Sequence, residues 1–170
     1  NLQCGEVILK NRGLCNLSST IVRPEDTFET LKSKLTFATF LGTIQSDMTN
    51  FRFLSKEWKK NCLEEHLLGV SLTGIMDHPF LSGKVKTQEG FPDDLPTTLR
   101  LLKEHVYQEN ERFAEMLEIS PSVSVTVIKP EGNSSSLNNT SPGIHPRFSP
   151  FYIRSVRFDN HDPLAKMLSA

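Results

Sequence analysis

The sequence has 170 residues, of which 37% are apolar and 23% are charged, and this composition excludes a disordered chain. That length is enough for one globular domain with its own core. The formal net charge of −1 provides no overall basic field for nucleic acid, and no apolar run is long enough to span a membrane.

The first fifteen residues carry the densest chemical signal. Cys4 and Glu6 flank Gly5, which leaves the backbone free to turn, and Cys15 follows eleven residues after Cys4. The apolar run 7–9 predicts a short buried strand. A thiol can be a nucleophile, a metal ligand, half of a disulfide or a one-electron donor, and a nearby carboxylate can hold or move a proton. Spacing alone favours a plainer interpretation, two cysteines and an acid on a surface loop.

The middle of the chain alternates predicted strands and helices. Residues 16–22 pass from polar to β-branched and end at an Arg-Pro-Glu-Asp turn. Thr27 is the expected N-cap of a helix that runs to about Asp47, because apolar residues follow it at helical spacing. A second capped segment is predicted over 55–69, and a buried strand over 68–72.

The last part of the chain continues this alternation. Residues 78–96 are rich in proline and glycine and predict a loose loop, and a long amphipathic helix should start at about residue 97. Alternating hydroxyl and apolar side chains predict a strand over 122–128. A final strand is predicted over 151–158, and Asp162-Pro163 should open a terminal helix. The whole pattern predicts an α/β fold with parallel strands.

Several short motifs occur along the chain in a fixed order. They are Cys-Gly-Glu at 4–6, Cys-Asn-Leu at 15–17, Glu-Glu at 64–65, the apolar strand and turn at 67–75, Lys-Pro-Glu-Gly-Asn-Ser-Ser at 129–135, Ser-Pro-Gly-Ile-His-Pro at 141–146 and Tyr-Ile-Arg at 152–154. Each motif alone is weak. Together they span nearly the whole chain, and the sequence resembles the ribonucleotide reductases, above all their adenosylcobalamin-dependent (class II) branch.

This resemblance implies roles for three residues near the start of the chain. Cys4 would become a thiyl radical that takes the 3′ hydrogen from the ribose, and Glu6 would be the general base on the 3′ hydroxyl. Cys15 would be one of two thiols that reduce the radical intermediate, and its partner would lie upstream of residue 1. The family's asparagine usually stands two residues before the radical cysteine, whereas Asn1 stands three before Cys4, so no role is assigned to it.

The resemblance also implies a phosphate loop over 129–136. Backbone N–H groups at the start of a short helix attract phosphate, and serine hydroxyls add further donors. The expected phosphate-binding residues are Glu131, Gly132, Asn133, Ser134 and Ser135. The carboxylate of Glu131 is out of place beside a phosphate, so its side chain is expected to point away from the substrate or to reach a ribose hydroxyl or a metal.

The implied fold is the C-terminal half of a ten-stranded α/β barrel, with residues 1–170 as one partial barrel domain and residues 1–15 as its catalytic finger loop. The N-terminal half of the barrel would be missing, so the fragment alone is expected to be inactive. The implied reaction makes deoxyribonucleotides for DNA synthesis from ribonucleoside di- or triphosphates. Adenosylcobalamin is the implied cofactor and a thioredoxin-like dithiol the implied reductant.

Other interpretations stay open at this stage. A class I reductase would receive its radical from a separate metal-bearing subunit, and a non-catalytic remnant would only fold or dock. Cys62 lies at helical spacing with Trp58 and His66 and is interpreted as a core residue. A metal site built from Cys4, Cys15 and His66 lacks a known ligand spacing, so no metal is predicted. Three cysteines are too few for a disulfide scaffold and favour a reducing, cytoplasmic compartment.

Overall fold

The structure, a computed structural model, describes Gly5 and residues 7–153, 155, 157, 159 and 161–168. In chain order its elements are β1 (Asn16–Ile21), α1 (Phe28–Asp47), α2 (Lys56–Glu65), β2 (Leu68–Thr73), a 3₁₀ turn (Ile75–Asp77), α3 (Leu95–Met116), α4 (Gly132–Leu137) and α5 (Pro163–Leu168). Strands β1 and β2 pair in parallel, with Asn16 opposite Leu68 and Ile21 opposite Thr73. The predicted α/β class with parallel strands is therefore confirmed.

Helix α1 begins where its capping residue predicts. The Thr27 hydroxyl accepts a hydrogen bond from the backbone N–H of Thr30, and the Thr30 hydroxyl accepts one from the N–H of Thr27. The buried carboxylate of Asp26 supports this turn. It accepts hydrogen bonds from the Arg23 N–H at 2.7 Å, from the Thr30 hydroxyl at 2.8 Å and from the Lys34 ammonium at 2.6 and 2.7 Å.

Helices α2 and α3 differ from their predicted bounds. The segment predicted over 55–69 ends as a helix at Glu65, because His66 adopts a left-handed conformation with φ 42° that stops the helix and releases the chain into β2. Helix α3 starts two residues before the predicted position, since the Asp94 carboxylate caps the N–H of Thr97 at 2.7 Å. Pro96 fits this first turn, where its missing N–H would have no partner.

Three predicted strands do not form among the described residues. Residues 7–9 are irregular, and the Ile8 side chain is 87% exposed. Residues 122–128 run along β2 and exchange backbone hydrogen bonds with it, but only Thr126 forms a bridge, with Val70. The described residues of 151–158 are also irregular, and Ile153 is 99% exposed. A β-strand exists only beside a partner that completes its ladder, and residues 7–9 and 151–153 have no strand partner in the part of the chain that the structure describes.

The core lies between the small sheet and the helices α1 and α3. It is formed by buried apolar side chains, among them Leu31, Leu35, Val70, Phe80, Leu102 and Val106. Cys62 is buried as predicted, and burial raises the pKa of its thiol. No helix in the described part of the chain is long and apolar enough to cross a membrane.

Strands β1 and β2 can approach closely because Gly69 has no side chain. A Cβ at this position would lie 2.4 Å from Leu17 Cδ2, 2.9 Å from Val127 Cγ1 and 3.2 Å from Cys15 Sγ. We expect Gly69→Ala to lower the free energy of unfolding by about 1–3 kcal/mol through overpacking. Chemical denaturation would measure this loss. Gly132→Ala is the control, since a Cβ there meets nothing within 4 Å and should leave stability nearly unchanged.

The Asp26 carboxylate should make stability depend on pH in the acid range. Burial alone would raise its pKa, but the hydrogen bonds from Lys34, Arg23 and Thr30 outweigh burial and hold the pKa below its usual value. Its contribution is therefore complete above the unfolded pKa of about 3.9 and is lost as the pH falls through the lower folded pKa.

We expect Asp26→Asn to cost about 1–3 kcal/mol at neutral pH and to flatten the loss of stability below about pH 4. Denaturation curves from pH 2 to 7 would measure both effects. The exposed Asp47 at the other end of α1 provides the control Asp47→Asn. Equal acid sensitivity of wild type and Asp26→Asn would contradict the assignment.

Candidate functional site

The structure describes only part of the predicted site. Cys4 and Glu6 lie outside the described residues, so their roles stay predictions. Cys15 and all five predicted phosphate-loop residues are described.

Cys15 lies immediately before β1 and is half-buried. The next residue, Asn16, begins the strand pairing, with its backbone N–H and its side-chain amide both donating to the carbonyl of Leu67 at 2.8 and 3.0 Å. The Cys15 sulfur points across the pair toward Gly69, 3.2 Å from the place that a Cβ would take. The missing side chain at Gly69 therefore leaves room for the Leu17 side chain and lets the Cys15 thiol lie close to the backbone of β2.

The predicted phosphate loop opens the short helix α4, as the sequence suggested. Glu131 precedes this helix in a left-handed conformation, with φ 55° and ψ 36°, and its carbonyl accepts the first helical hydrogen bond from Ser135 at 3.0 Å. Gly132, Asn133 and Ser134 are exposed, whereas Glu131 and Ser135 are buried. The amino end of α4 therefore faces solvent, while the buried Glu131 before it and the buried Ser135 within α4 hold it against the fold.

The Glu131 carboxylate points into the fold. Of the orientations expected from the sequence, the structure therefore has the one that points away from the proposed phosphate site. Its side chain accepts hydrogen bonds from the hydroxyls of Ser19 on β1 and Ser134 on α4. The Lys129 ammonium lies 3.0 Å from the same carboxylate. Burial would raise the pKa of Glu131, but these three donors outweigh burial and lower it. Glu131 thus links β1 to α4 as an ionised group.

This arrangement changes the expected contribution of the serine hydroxyls. Ser134 donates to Glu131, and the buried Ser135 hydroxyl donates to the carbonyl of Gly132 at 3.1 Å. Both hydroxyls are therefore engaged inside the loop. The first N–H groups of a helix have no acceptor within it, so the backbone of α4 is the better candidate for contact with an anion.

Three charged residues that the sequence analysis did not select surround the other end of α4. They are Arg23, Asp77 and Arg147. Asp77 and Arg147 form a two-point ion pair, with Arg147 Nε 3.0 Å from Asp77 Oδ1 and Arg147 Nη2 3.0 Å from Asp77 Oδ2. A sequence signal existed for Arg147, since it follows the motif at 141–146 directly. Asp77 and Arg23 have no comparable signal, because only the fold brings them to this place.

The described residues form no recognisable metal or cofactor site. In that part of the chain no group of three or more His, Cys, Asp and Glu side chains is placed to hold a metal. His66 is buried and its Nδ1 lies 3.2 Å from the Ser46 hydroxyl. An apolar cavity of about 330 Å³ between α3 and β2 is at the lower end for small-molecule pockets and does not fit a corrin. We assign no described residue to cobalamin.

Comparison with known proteins gives one consistent result. No protein-family model matches the chain. An adenosylcobalamin-dependent ribonucleoside-triphosphate reductase of Levilactobacillus brevis is 25% identical over 185 aligned positions, which cover 98% of this chain and 24% of that protein. The Lactobacillus acidophilus enzyme of the same name is 28% identical and covers 97% of this chain and 24% of its own length. A probable enzyme of this name from Dictyostelium discoideum is 30% identical, covering 95% of this chain and 20% of its own length.

A solved structure shows the same fold. The crystal structure of a B-12 dependent (class II) ribonucleotide reductase superimposes with a TM-score of 0.57 and 20% identity, covering 84% of this chain and 22% of that one. The chain spans about a quarter of the length of the curated relatives it matches.

Adjacent serines on β1 allow a matched test of the buried Glu131 carboxylate. Ser19 donates to Glu131, whereas the buried hydroxyl of Ser18 has no hydrogen-bond partner among the described residues. We expect Ser19→Ala to raise the pKa of Glu131 and to destabilise the fold by about 1–2 kcal/mol, because a buried carboxylate loses a donor. Ser18→Ala should be neutral or slightly stabilising. NMR titration of the Glu131 carboxyl carbon and denaturation would measure both; equal effects of the two variants would contradict the contact.

Proposed function

We propose that this chain, whose curated homologues are adenosylcobalamin-dependent ribonucleoside-triphosphate reductases, forms part of the catalytic α/β barrel of such an enzyme. The observation that carries the proposal is the similarity to these relatives along 95–98% of the chain. The reaction is the reduction of the 2′ carbon of a ribonucleotide to make a deoxyribonucleotide. The relatives' names favour a triphosphate substrate over a diphosphate.

The exposed apolar side chains beside the two edges of the sheet support the proposal that the chain is part of a barrel. Helix α1 exposes apolar side chains on the flank beside β1, with Phe37 at 71% and Leu41 at 57%. On the other flank, Val123 is 65% exposed and Ile128 is 61% exposed. Large apolar groups beside unpaired strand edges suit further strands and helices of the same polypeptide. We therefore propose that the chain is the C-terminal half of the barrel and that the remaining strands pack on these two flanks.

The residues of this chain divide the chemistry between them. The Cys4 sulfur, as a thiyl radical, takes the 3′ hydrogen atom of the ribose, and Glu6 takes the proton of the 3′ hydroxyl. The 2′ hydroxyl then leaves as water. Cys15 and a partner thiol from another part of the enzyme supply two electrons and two protons and end as a disulfide, which an external dithiol reduces. Cys4, a thiol since the first step, then returns its hydrogen atom to the 3′ carbon and becomes a thiyl radical again.

The phosphate groups of the substrate are proposed to meet the backbone N–H groups of Gly132, Asn133 and Ser134. The strand geometry supports one nucleotide that reaches both ends of this site. Ser19, which contacts Glu131, follows Cys15 by four residues, or about 13 Å along an extended strand. A nucleoside diphosphate extends roughly 10 Å from ribose to terminal phosphate, about the length of three extended residues. The length of β1 between Cys15 and the Glu131 contact is therefore close to the length of the nucleotide, which supports a substrate that reaches from Cys15 to the amino end of α4.

The cofactor is proposed from the relatives' names, and the cellular location from the small number of cysteines. Adenosylcobalamin is proposed because the relatives are named for it, and a thioredoxin-like dithiol is the proposed reductant. The cytoplasm is the proposed location. The relatives reported above carry the class II name, so they favour this branch over the class I alternative.

Two cysteines of this chain, Cys15 and Cys62, provide a test of the proposed function. We expect the complete polypeptide that contains this sequence to reduce ribonucleoside triphosphates with adenosylcobalamin and a dithiol, and the 170-residue chain alone to show no turnover. Cys15→Ser should still form the radical but should lose sustained reduction, because the intermediate lacks its thiol reductant.

Cys62→Ala is the matched control for this experiment. Cys62 is a buried core residue, so its loss should reduce stability but leave multiple turnover. Single-turnover product analysis and radical spectroscopy would separate the steps. Normal turnover of Cys15→Ser would remove Cys15 from the redox pair, and an inactive complete polypeptide would favour the non-catalytic interpretation.

A further inference from the structure

We propose that Asp77 and Arg147, together with Arg23, are positioning residues that fix the phosphate loop by holding the carboxyl end of α4. The inference rests on the proposed function, because it concerns the same phosphate site. None of the three residues lies at the amino end of α4, where the substrate phosphates are proposed to bind. They act on that end through the six-residue helix between.

Two arginines converge on the carbonyl groups of the two residues that follow α4, Asn138 and Asn139. Arg147 Nη2 donates to the carbonyl of Asn139 at 2.8 Å, and Arg147 Nη1 donates to its side-chain oxygen at 3.0 Å. Arg23 Nη1 donates to the same Asn139 carbonyl at 3.0 Å, and Arg23 Nη2 donates to the carbonyl of Asn138 at 2.8 Å. Cations at a helix carboxyl end complement the helix dipole, so these contacts stabilise α4 in its present direction.

Asp77 fixes both the arginine and the chain that leaves α4. Besides its ion pair with Arg147, it accepts a hydrogen bond from the N–H of Ser141 at 2.8 Å and from the hydroxyl of Thr140 at 3.3 Å. Burial would raise the pKa of Asp77, but Arg147 and these donors outweigh burial and lower it. An ionised Asp77 therefore orients the Arg147 fork and holds the segment after α4 at the same time.

The carboxyl ends of the strands complete this attachment. The Ser141 carbonyl accepts hydrogen bonds from the N–H of Gly74 at 2.9 Å and from the hydroxyl of Thr73 at 3.1 Å. Gly74 has φ +85°, and a Cβ there would lie 2.2 Å from Thr140 Oγ1 and 2.6 Å from the carbonyl of Val22. The exit of α4 is thus fixed to β2, while Arg23 ties it to the end of β1.

A helix of six residues needs such support. Isolated helices of this length are unstable in water, because nucleation costs more than so few hydrogen bonds return. The contact at the amino end comes from Glu131, and the contacts at the carboxyl end come from Arg23, Asp77 and Arg147. If the carboxyl end moved, the exposed N–H groups of 132–134 would lose the fixed direction that anion binding requires.

Asp77→Asn gives the decisive test, because two explanations predict opposite signs. If charge alone mattered, removal of a carboxylate would strengthen the binding of an anion. If Asp77 positions α4, its loss should weaken that binding by about tenfold. Inorganic triphosphate is the probe, and the NMR shifts of the backbone amides of 132–134 in the 170-residue chain measure its affinity.

A second comparison also distinguishes a positioning role from a simple effect of charge. Arg147→Lys is the test variant and Arg100→Gln is the control. Lysine keeps the positive charge but cannot form the two-point contact with Asp77, so Arg147→Lys should weaken triphosphate binding nearly as much as Arg147→Gln. Arg100 pairs with Glu104 at 2.9 Å on the exposed side of α3, and its replacement should leave the affinity unchanged. In the complete enzyme, Asp77→Asn should raise KM for the nucleotide more than it lowers kcat.

Three outcomes decide the proposal. Weaker binding by Asp77→Asn and by Arg147→Lys, with melting curves that show folded variants, would support it. Binding by Asp77→Asn that equals or exceeds wild type would overturn it and leave the phosphate site intact. No shift of the amides of 132–134 in wild type would overturn the phosphate site itself, and the positioning role with it. If Asp77→Asn does not fold, Arg147→Lys and Arg23→Lys carry the same comparison.

Discussion

The parallel pairing of β1 with β2 is the constraint on which the rest of the structure depends. Because the strands are parallel, their carboxyl ends lie at the same edge, where Arg23 and Asp77 meet the chain around α4. The register matters as much as the direction. A slip of one residue would turn Ser19 to the other face of the sheet and leave Glu131 without its contact to β1. The close approach at Gly69 sets this register.

Three ionised carboxylates stabilise the arrangement at this edge. Asp26 pairs with Lys34, Asp77 with Arg147 and Glu131 with Lys129, and each carboxyl group has a lowered pKa despite its burial. Removal of carboxylates from water is costly, so such pairs add little net stability when complete and cost much when one partner is lost. Their value is to specify which segments meet, since each carboxylate also accepts from a backbone N–H or a hydroxyl nearby.

Local signals in the sequence predicted the helices better than the strands. Thr27 identified the start of α1 because capping depends on residues three positions apart, and the Asp162-Pro163 pair identified α5 in the same way. No strand forms over 7–9 or over the described residues of 151–158, because strand formation depends on a distant partner. The inward turn of Glu131 was one of several orientations that the sequence allowed. Only the fold, which brings Ser19 and Lys129 to it, selects among them.

The same close approach that sets the register also fixes the proposed redox thiol. The Cys15 sulfur lies beside Gly69, at the amino end of β1, whereas α4 makes its contacts further along, with Ser19 through Glu131 and with Arg23 after the strand. A substrate bound along β1 would therefore have one direction, with its phosphates at α4 and its ribose toward Cys15. The proposed finger loop directly precedes Cys15 in the sequence, which agrees with the proposal that Cys4 and Glu6 act on the ribose. In the proposed arrangement, the direction of the substrate and the position of the thiol both depend on Gly69 in β2, because a side chain there would clash with Leu17 of β1 and crowd Cys15.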